Sequence, residues 1–240
     1  MKHIDAHWEK RNMGIEAVEL IIDESDTLEE VNKAITQLDK EYQVIRAPVG
    51  RIDLFMLLQK QGFVFMEAMY RCFVDLPGSI LSDADITKTG YKKAESKSSI
   101  KTIINNINEG MFKEDRVSLD PFFSPDQARA RYVGMLEDYR SLNPGAFCIM
   151  HDNSEVGFFL LRELQEDVYD VLLTGLYPAY RSRGLGRSIA LQPIICAKDI
   201  GSTRLYSSVS TNNKLSLSIH IKCGFIPDHI RYIFAKHCRT

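Results

Sequence analysis

One stretch constrains this chain more than any other: Tyr177-Pro178-Ala179-Tyr180-Arg181-Ser182-Arg183-Gly184-Leu185-Gly186-Arg187-Ser188. The residues before it, Val168–Tyr177, read as a long apolar strand, and Leu185–Lys198 after it reads as a helix. A strand that turns through glycines into a helix makes a place for an anion. Gly184 and Gly186 remove Cβ atoms where a backbone must approach a ligand closely. The first amides of the helix have no intrahelical acceptor and lie at the positive end of its dipole. A diphosphate suits such a site, and Arg181, Arg183 and Arg187 can pair with its oxygens. The bland reading is a glycine-rich turn with three solvated arginines. The stretch is not a Walker loop, because G-x-x-x-x-G-K-[ST] is absent, and it lacks the third glycine of a dinucleotide fingerprint.

The surrounding segments set the fold class. Ser98–Asn108 and Pro125–Tyr139 have helical spacing, the second opening on Pro125 and Asp126. Ala146–His151 and Glu155–Leu161 read as strands joined by the turn Asp152-Asn153-Ser154. After the loop and its helix come strand Arg204–Val209, helix Asn213–Lys222 and strand Phe225–Phe234. Hairpins followed by alternating β and α segments imply an α/β (α+β) sheet of mixed direction. Pro193 falls inside the Leu185–Lys198 helix and is expected to kink it.

Residues 81–101 are rich in Ser, Asp, Lys, Thr and Gly and read as a linker running into a first strand and helix. The boundary is placed near Pro77-Gly78, giving an N-terminal half-domain over 1–80 and a second domain over 81–240. An internal echo relates them. Lys60-Gln61-Gly62-Phe63 and Lys222-Cys223-Gly224-Phe225 each follow an apolar helical run and precede a strand-like one, with Tyr70 and Tyr232 at matching offsets. In each copy a helix would end on a left-handed glycine.

With 240 residues, of which 45% are apolar, the chain can bury a sizeable core. A formal net charge of -2 offers no footprint for nucleic acid. No apolar run is long enough to span a membrane, and the start is too polar for a secretory signal. Five scattered cysteines form no CxxC pair, so neither a metal site nor a disulfide framework is expected, and a cytoplasmic setting fits best.

The segment Arg181-Ser182-Arg183-Gly184-Leu185-Gly186 resembles the R/Q-x-x-G-x-G/A signature of the GNAT superfamily of acyl-CoA N-acyltransferases. Val209-Ser210-Thr211-Asn212-Asn213, with Ser216, Ile219, His220, Gly224 and Phe225, is similar to that family's second motif. Weaker likeness before residue 112 (Trp8-Glu9, Gly14, 41–48, 60–63) is to the dTDP-fucosamine acetyltransferase group. The resemblance implies a GNAT fold: a mixed, mostly antiparallel sheet flanked by helices, with a partial N-terminal copy. It implies acetyl-CoA as cofactor, bound by Leu176, Arg181, Arg183, Gly184, Leu185, Gly186, Arg187, Ser188, Asn213 and Ser216. It further implies that Val168–Tyr177 splays from Arg204–Val209 to admit the pantetheine arm, with a backbone N–H near Leu176 meeting the oxyanion.

His220 occupies a position where related enzymes commonly carry a tyrosine that protonates the departing thiolate. Imidazolium could do the same, since its ordinary pKa lies below that of a thiol; the bland reading is a helix-face histidine with a structural hydrogen bond. The matching first-half residue is Leu58, so one half alone is expected to do chemistry. No general base is legible: Asp167, Asp170 and His151 read better as structural or solvated groups, and Tyr206 as packing or a wall of the acceptor side. The resemblance implies a small-molecule amine acceptor, the amino group of a nucleotide-linked sugar first. The acidic stretch Glu163, Glu166, Asp167 and Asp170 leaves a cationic amine or a peptide N-terminus open. A non-catalytic acyl-CoA sensor is the alternative from another class. Nucleic-acid and membrane partners are not expected, and a homodimer is an admissible assembly.

Overall fold

The computed structural model describes residues 1–77 and 89–238. Gly78 of the expected boundary and residues 81–88 of the expected linker lie outside them. Ten strands of the described residues form one sheet. They are β1 (Lys2–Asp5), β2 (Ala17–Ile21), β3 (Tyr42–Pro48), β4 (Val64–Asp75), β5 (Gly90–Lys93), β6 (Pro144–His151), β7 (Ser154–Gln165), β8 (Val168–Leu176), β9 (Arg204–Ser210) and β10 (Ile226–His237). Across the sheet they run β1, β2, β3, β10, β4, β9, β8, β7, β6, β5. Only β2/β3 and β8/β9 pair in parallel; the other neighbours are antiparallel. This is the mixed, mostly antiparallel sheet of the GNAT fold.

Eight α-helices among the described residues cover the two faces. α1 (His7–Met13), α4 (Lys97–Asn108), α5 (Arg116–Leu119) and α6 (Pro125–Tyr139) share one face, burying Met13, Ile103, Ile107, Val117, Tyr132 and Leu136. α2 (Leu28–Thr36), α3 (Ile52–Lys60), α7 (Ser188–Asp199) and α8 (Lys214–Lys222) lie on the other, burying Val31, Leu54, Leu58, Ile194 and Ile219. Local chemistry explains the helix starts. Ser124 caps α6 in a box with Gln127, and Pro125 opens it. The β6–β7 turn uses Asp152 and Asn153 at φ 46 and 62, as a primed turn requires. No helix of the described residues is long and apolar enough to cross a membrane.

The echo in the sequence is an echo in space. β3, α3 and β4 have the same lengths as β9, α8 and β10, and each pair begins 162 residues apart: Tyr42 and Arg204, Ile52 and Lys214, Val64 and Ile226. Gly62 and Gly224, at φ +84 and +89, make the two left-handed links from helix to strand. The last strands of the two copies exchange places. β10 lies between β3 and β4, while β4 lies between β10 and β9. The halves expected on either side of residue 80 therefore share one uninterrupted sheet. A buried charge network reinforces the seam on the α5 face. Arg116 lies 3.3 Å from Glu19 and 3.8 Å from Glu67, and Arg131 lies 2.8 Å from Glu9.

Two expectations shift. The helix placed at Leu185–Lys198 begins instead at Ser188, because Gly184 takes φ +77 and keeps the chain in a turn. Pro193 lies inside α7, which is continuous from Ser188 to Asp199. Proline lacks the amide that would donate to the carbonyl of Ile189. That carbonyl instead accepts the hydroxyl of Thr174 at 2.7 Å, tying the first turn of α7 to β8.

Candidate active site

Three features converge at the C-terminal end of β8. The first is a gap. β8 pairs with β9 only from Val168↔Arg204 to Val171↔Ser207, although β8 continues to Leu176 and β9 to Ser210. At the point of parting β8 carries an extra residue, since Val171 and Leu173 face the consecutive residues Leu161 and Leu160 of β7. Beyond it, Tyr177 donates its N–H to Val156 at 2.9 Å. Antiparallel alternation then turns the N–H and C=O of Leu176 and Thr174 away from β7 and into the gap.

The second feature is the glycine loop. Ser182 and Gly184 adopt positive φ, 59 and 77. Among the described residues, the amides of Arg183, Gly184, Leu185 and Gly186 find no acceptor. Leu185 is buried as an anchor and its carbonyl accepts the Ser188 hydroxyl at 2.5 Å, so this hydroxyl is turned back on its own turn. The cap residue of α7, Arg187, makes no side-chain capping bond, and no acidic residue lies in the first turn. Of the arginines, Arg181 donates to the carbonyl of Met111, which braces the loop against the α4–α5 connection. Arg183 lies over the Tyr180 ring at 5.1 Å, and its side chain is exposed.

The third feature is a buried polar pair on the α8 face. His220 is 2% exposed. Its Nδ1 is 2.8 Å from the Ser216 carbonyl, which can only accept, so Nδ1 carries the proton of the neutral ring. Nε2 is then an acceptor, 3.1 Å from the Ser207 hydroxyl, which donates to it. Burial lowers the histidine pKa, the carbonyl of Ser216 opposing this in part. The resting ring thus carries no proton on the nitrogen facing β9. Asn213 caps α8, its Oδ1 accepting the Ser216 amide at 2.9 Å, which leaves its amide group unspent. Ser207 was not legible as a candidate; the signal was a serine on the apolar alternation Leu205, Ser207, Val209.

On the opposite face, Asp170 is buried and holds two guanidinium groups, Arg71 at 2.7 Å and Arg162 at 2.8 Å. It is a structural anion, not an open base. Arg71 also lies over the Tyr206 ring at 4.6 Å. Arg71 and Tyr206 edge a groove of about 810 Å³ that also includes Asp75, Arg204 and His229. Glu163, Glu166 and Asp167 are exposed in and beside the β7–β8 turn, so the four acidic residues do not gather into one acidic cleft. His151 stands beside Asp152 in the β6–β7 hairpin, at 3.3 Å.

The first half has none of the three features. Its parallel pair β2/β3 is zipped along all of β2, Ala17↔Tyr42 to Ile21↔Arg46. Its helix α2 is closed by a capping box of Thr27 and Glu30, with Glu29 also in the first turn. Those carboxylates already fill the place of an anion. The offset of 162 residues sets Ile45 at the place of Ser207 and Leu58 at that of His220, and both are fully buried.

Residues 111–225 match the family model described as Acetyltransferase (GNAT) family. Solved structures resemble the whole chain. One is a GCN5-related N-acetyltransferase from Sphaerobacter thermophilus, with TM-score 0.67, 11% identity, and 100% of this chain aligned to 76% of that one. A second is a GCN5-related N-acetyltransferase from Kribbella flavida, with TM-score 0.55, 15% identity, and coverage of 92% and 81%. A third is a tandem GNAT protein from the clavulanic acid biosynthesis pathway, with TM-score 0.53, 10% identity, and coverage of 95% and 77%. At these identities the likeness speaks for the fold. No curated protein sequence matches the chain.

Proposed function

We propose that this protein, whose residues 111–225 match the GNAT acetyltransferase family model, moves an acetyl group from acetyl-CoA to a small-molecule amine, using the gap between β8 and β9. The observation that carries this reading is the uncapped start of α7, with four unspent amides beside two parted parallel strands. The diphosphate of CoA would sit on the amides of residues 183–186, with Arg183 and Arg187 within reach of its oxygens. The pantetheine arm would follow β8 inward, pairing with the backbone of Leu176 and Thr174. Asn213 and Ser216 would flank it from α8.

From Leu176 to Leu172 is four strand residues, about 13 Å at a rise of about 3.3 Å each. An extended arm would therefore bring the thioester to the closed end of the gap, beside Leu172. The amide nearest that end, at the extra residue of β8, replaces the one near Leu176 as the natural oxyanion donor. Leu176 keeps the role of holding the arm. Catalysis is then mostly positioning of the thioester against a neutral amine. His220, unprotonated on Nε2, would act as a proton acceptor rather than as the resting proton donor.

The acceptor would enter on the face of Asp170, Arg71 and Tyr206, which makes the N-terminal half part of its wall through β4. Two guanidinium groups and an aromatic ring suit an amine that also carries an anionic group. The amino group of a nucleotide-linked sugar belongs to that class and is our first candidate. Calorimetry with acetyl-CoA and thiol release with a panel of amines test the reading together. We expect micromolar binding and release stimulated by an anionic amine. Tight binding with no amine-stimulated release would make the protein an acyl-CoA sensor, and no binding at all would remove the function.

A further inference from the structure

Arg71 reaches further than a sheet side chain needs to. β4 pairs with β9 and β9 with β8, so a whole strand separates Arg71 from Asp170. The side chain crosses that strand. Its guanidinium lies over the Tyr206 ring at 4.6 Å, and Nη1 donates to Asp170 Oδ1 at 2.7 Å and to the Ser208 hydroxyl at 3.2 Å. Asp170 pairs with Tyr206, one position before Val171↔Ser207, where β8 and β9 part. The guanidinium therefore rests across the closed end of the gap, on the face by which the acceptor would enter. It is open to that face: Arg71 lines the groove there, and its side chain is 19% exposed.

The charges at this point do not balance. Buried Asp170 brings one negative charge, and Arg71 and Arg162 bring two positive ones, one on each carboxylate oxygen. The groove's other charged side chains are matched among themselves: Arg204 holds Asp75 at 2.7 Å, and Asp228 lies beside His229 at 2.9 Å. Neither guanidinium at Asp170 is spent. Among the described residues, Nε and Nη2 of Arg71 and Nε and Nη1 of Arg162 have no acceptor. A positive charge held partly out of water without a partner is costly, and one more anion relieves it. The fold does not demand an arginine here. The offset of 162 residues that relates the two copies sets Ile233 at the place of Arg71, and Ile233 is fully buried.

We infer that Arg71, supplied by the first half, sets the acceptor specificity of this site: its free edge takes a single negative charge carried by the amine substrate. The inference rests on the acetyl-transfer reading above and deepens it. One negative charge is what brings Asp170, Arg71 and Arg162 to neutrality. A guanidinium edge pairs best with two oxygens side by side, so the anion presents an oxygen pair. Its distance from the amine is set by the strand. Asp170 to Leu172 is two residues, about 7 Å at a rise of about 3.3 Å each, and the thioester carbonyl would stand beside Leu172. The attacking nitrogen and the anion on Arg71 therefore lie within about that distance, which a short carbon chain or one sugar ring spans. The carboxylate of a short amino acid has this chemistry. So does the phosphate joined to an amino sugar, which carries one charge when esterified on both sides. Asp170 holds Arg71 in place and does not itself meet the substrate. Through β4, the first half selects the amine on which the second half acts.

The experiment measures thiol release from acetyl-CoA by the full chain with matched amines that differ in the anion. One arm sets short ω-amino acids against their primary amides. The other sets a nucleoside-diphosphate amino sugar against the free amino sugar. Acetyl-CoA affinity is read by calorimetry for every variant. The wild type should favour the anionic member of one arm by at least about tenfold in kcat/KM, the size of one charge-assisted contact, and the arm that shows it tells carboxylate from phosphate. Arg71→Met should bring the anionic member down to the uncharged one, chiefly through KM, and keep its affinity for acetyl-CoA. Arg71→Lys keeps the charge without the planar fork and should retain part of the preference; with the wild type, it carries the test if Arg71→Met melts below the assay temperature. Equal kcat/KM for both members of both arms in the wild type overturns the inference and leaves acetyl transfer standing, as does an Arg71→Met variant that slows both members alike. Failure of the wild type to bind acetyl-CoA, or binding with no amine-stimulated release, overturns the transfer reading and the inference with it.

Discussion

The two glycines of the loop are glycines for different reasons, and this gives a sharp test of the phosphate site. Gly184 has φ +77, where a side chain costs about 1–2 kcal/mol whatever the space around it. Gly186 has no positive φ, and a Cβ there would meet only Ile219 Cδ1, at the ordinary distance of 3.5 Å. The protein itself therefore does not need glycine at 186; an approaching ligand does. Gly186→Ala should leave the melting temperature unchanged or slightly higher, since shedding backbone freedom stabilises by about 0.4–1 kcal/mol where the conformation is allowed. Gly186→Asp adds a carboxylate to the cradle. At about 5 Å from one phosphate charge and an effective dielectric of about 20, the repulsion is about 3 kcal/mol. That is about a hundredfold in Kd. Calorimetry with CoA, alongside thermal melts of the same samples, reads both quantities. If Gly186→Asp melts like the wild type and binds CoA equally well, the diphosphate does not sit on these amides.

Further expectations follow from the same structure. Burial alone would raise the Glu19 carboxyl, but Arg46 and Arg116 overcome this and hold it down to about 2. Its folded pKa is depressed, so its contribution, on the order of 3 kcal/mol, is complete above about pH 4.5 and is lost as pH falls toward 2; denaturant melts of Glu19→Gln across that window should show a flatter acid limb than the wild type. His220 is a base whose folded pKa is lowered, so its contribution is complete above about pH 6.5 and declines as pH falls below it; this dependence should vanish in His220→Phe, which should still bind acetyl-CoA but turn over more slowly. Asp170→Asn leaves Arg71 and Arg162 short of a buried counter-charge and should cost about 3 kcal/mol in urea unfolding, discounted somewhat for the exposure of Arg162.

Much of this was written in local signals. The glycine loop, the Ser124 cap, the Asp152-Asn153 turn and the paired K-x-G-F helix ends all depend on residues within a few positions of one another. What was hidden depends on distant partners. The exchange of β4 and β10 could not be read, because both strands offer apolar faces and nothing near them in sequence names the neighbour. The parting of β8 from β9 is a failure of pairing after Val171, which no composition announces. His220 could be singled out by its place before Gly224, but its tautomer is set by Ser216 and its other partner is Ser207, thirteen residues earlier. Asp170 looked like one of four acidic residues and is instead consumed by an arginine from the other half of the chain.

Pro193 is a residue whose purpose emerges only from its absent amide. Without that amide, the carbonyl of Ile189 would be an orphan at half-buried depth in the first turn of α7; Thr174 supplies the missing donor from β8. The proline therefore reserves an acceptor for the strand that carries the gap, and so sets the distance between the phosphate cradle and the strand that would hold the arm. A double-mutant cycle measures this dependence. Thr174→Val in the wild type strands the carbonyl, at a cost of about 1–3 kcal/mol. In a Pro193→Ala background the helix donates its own amide to Ile189, so the same Thr174→Val change should cost about 1 kcal/mol less. CoA affinity should fall in Thr174→Val and in the double variant alike, because the strand-to-helix tie is gone in both. Independent, additive effects on stability would show that Ile189 is satisfied some other way, and that the proline does not set the position of the loop.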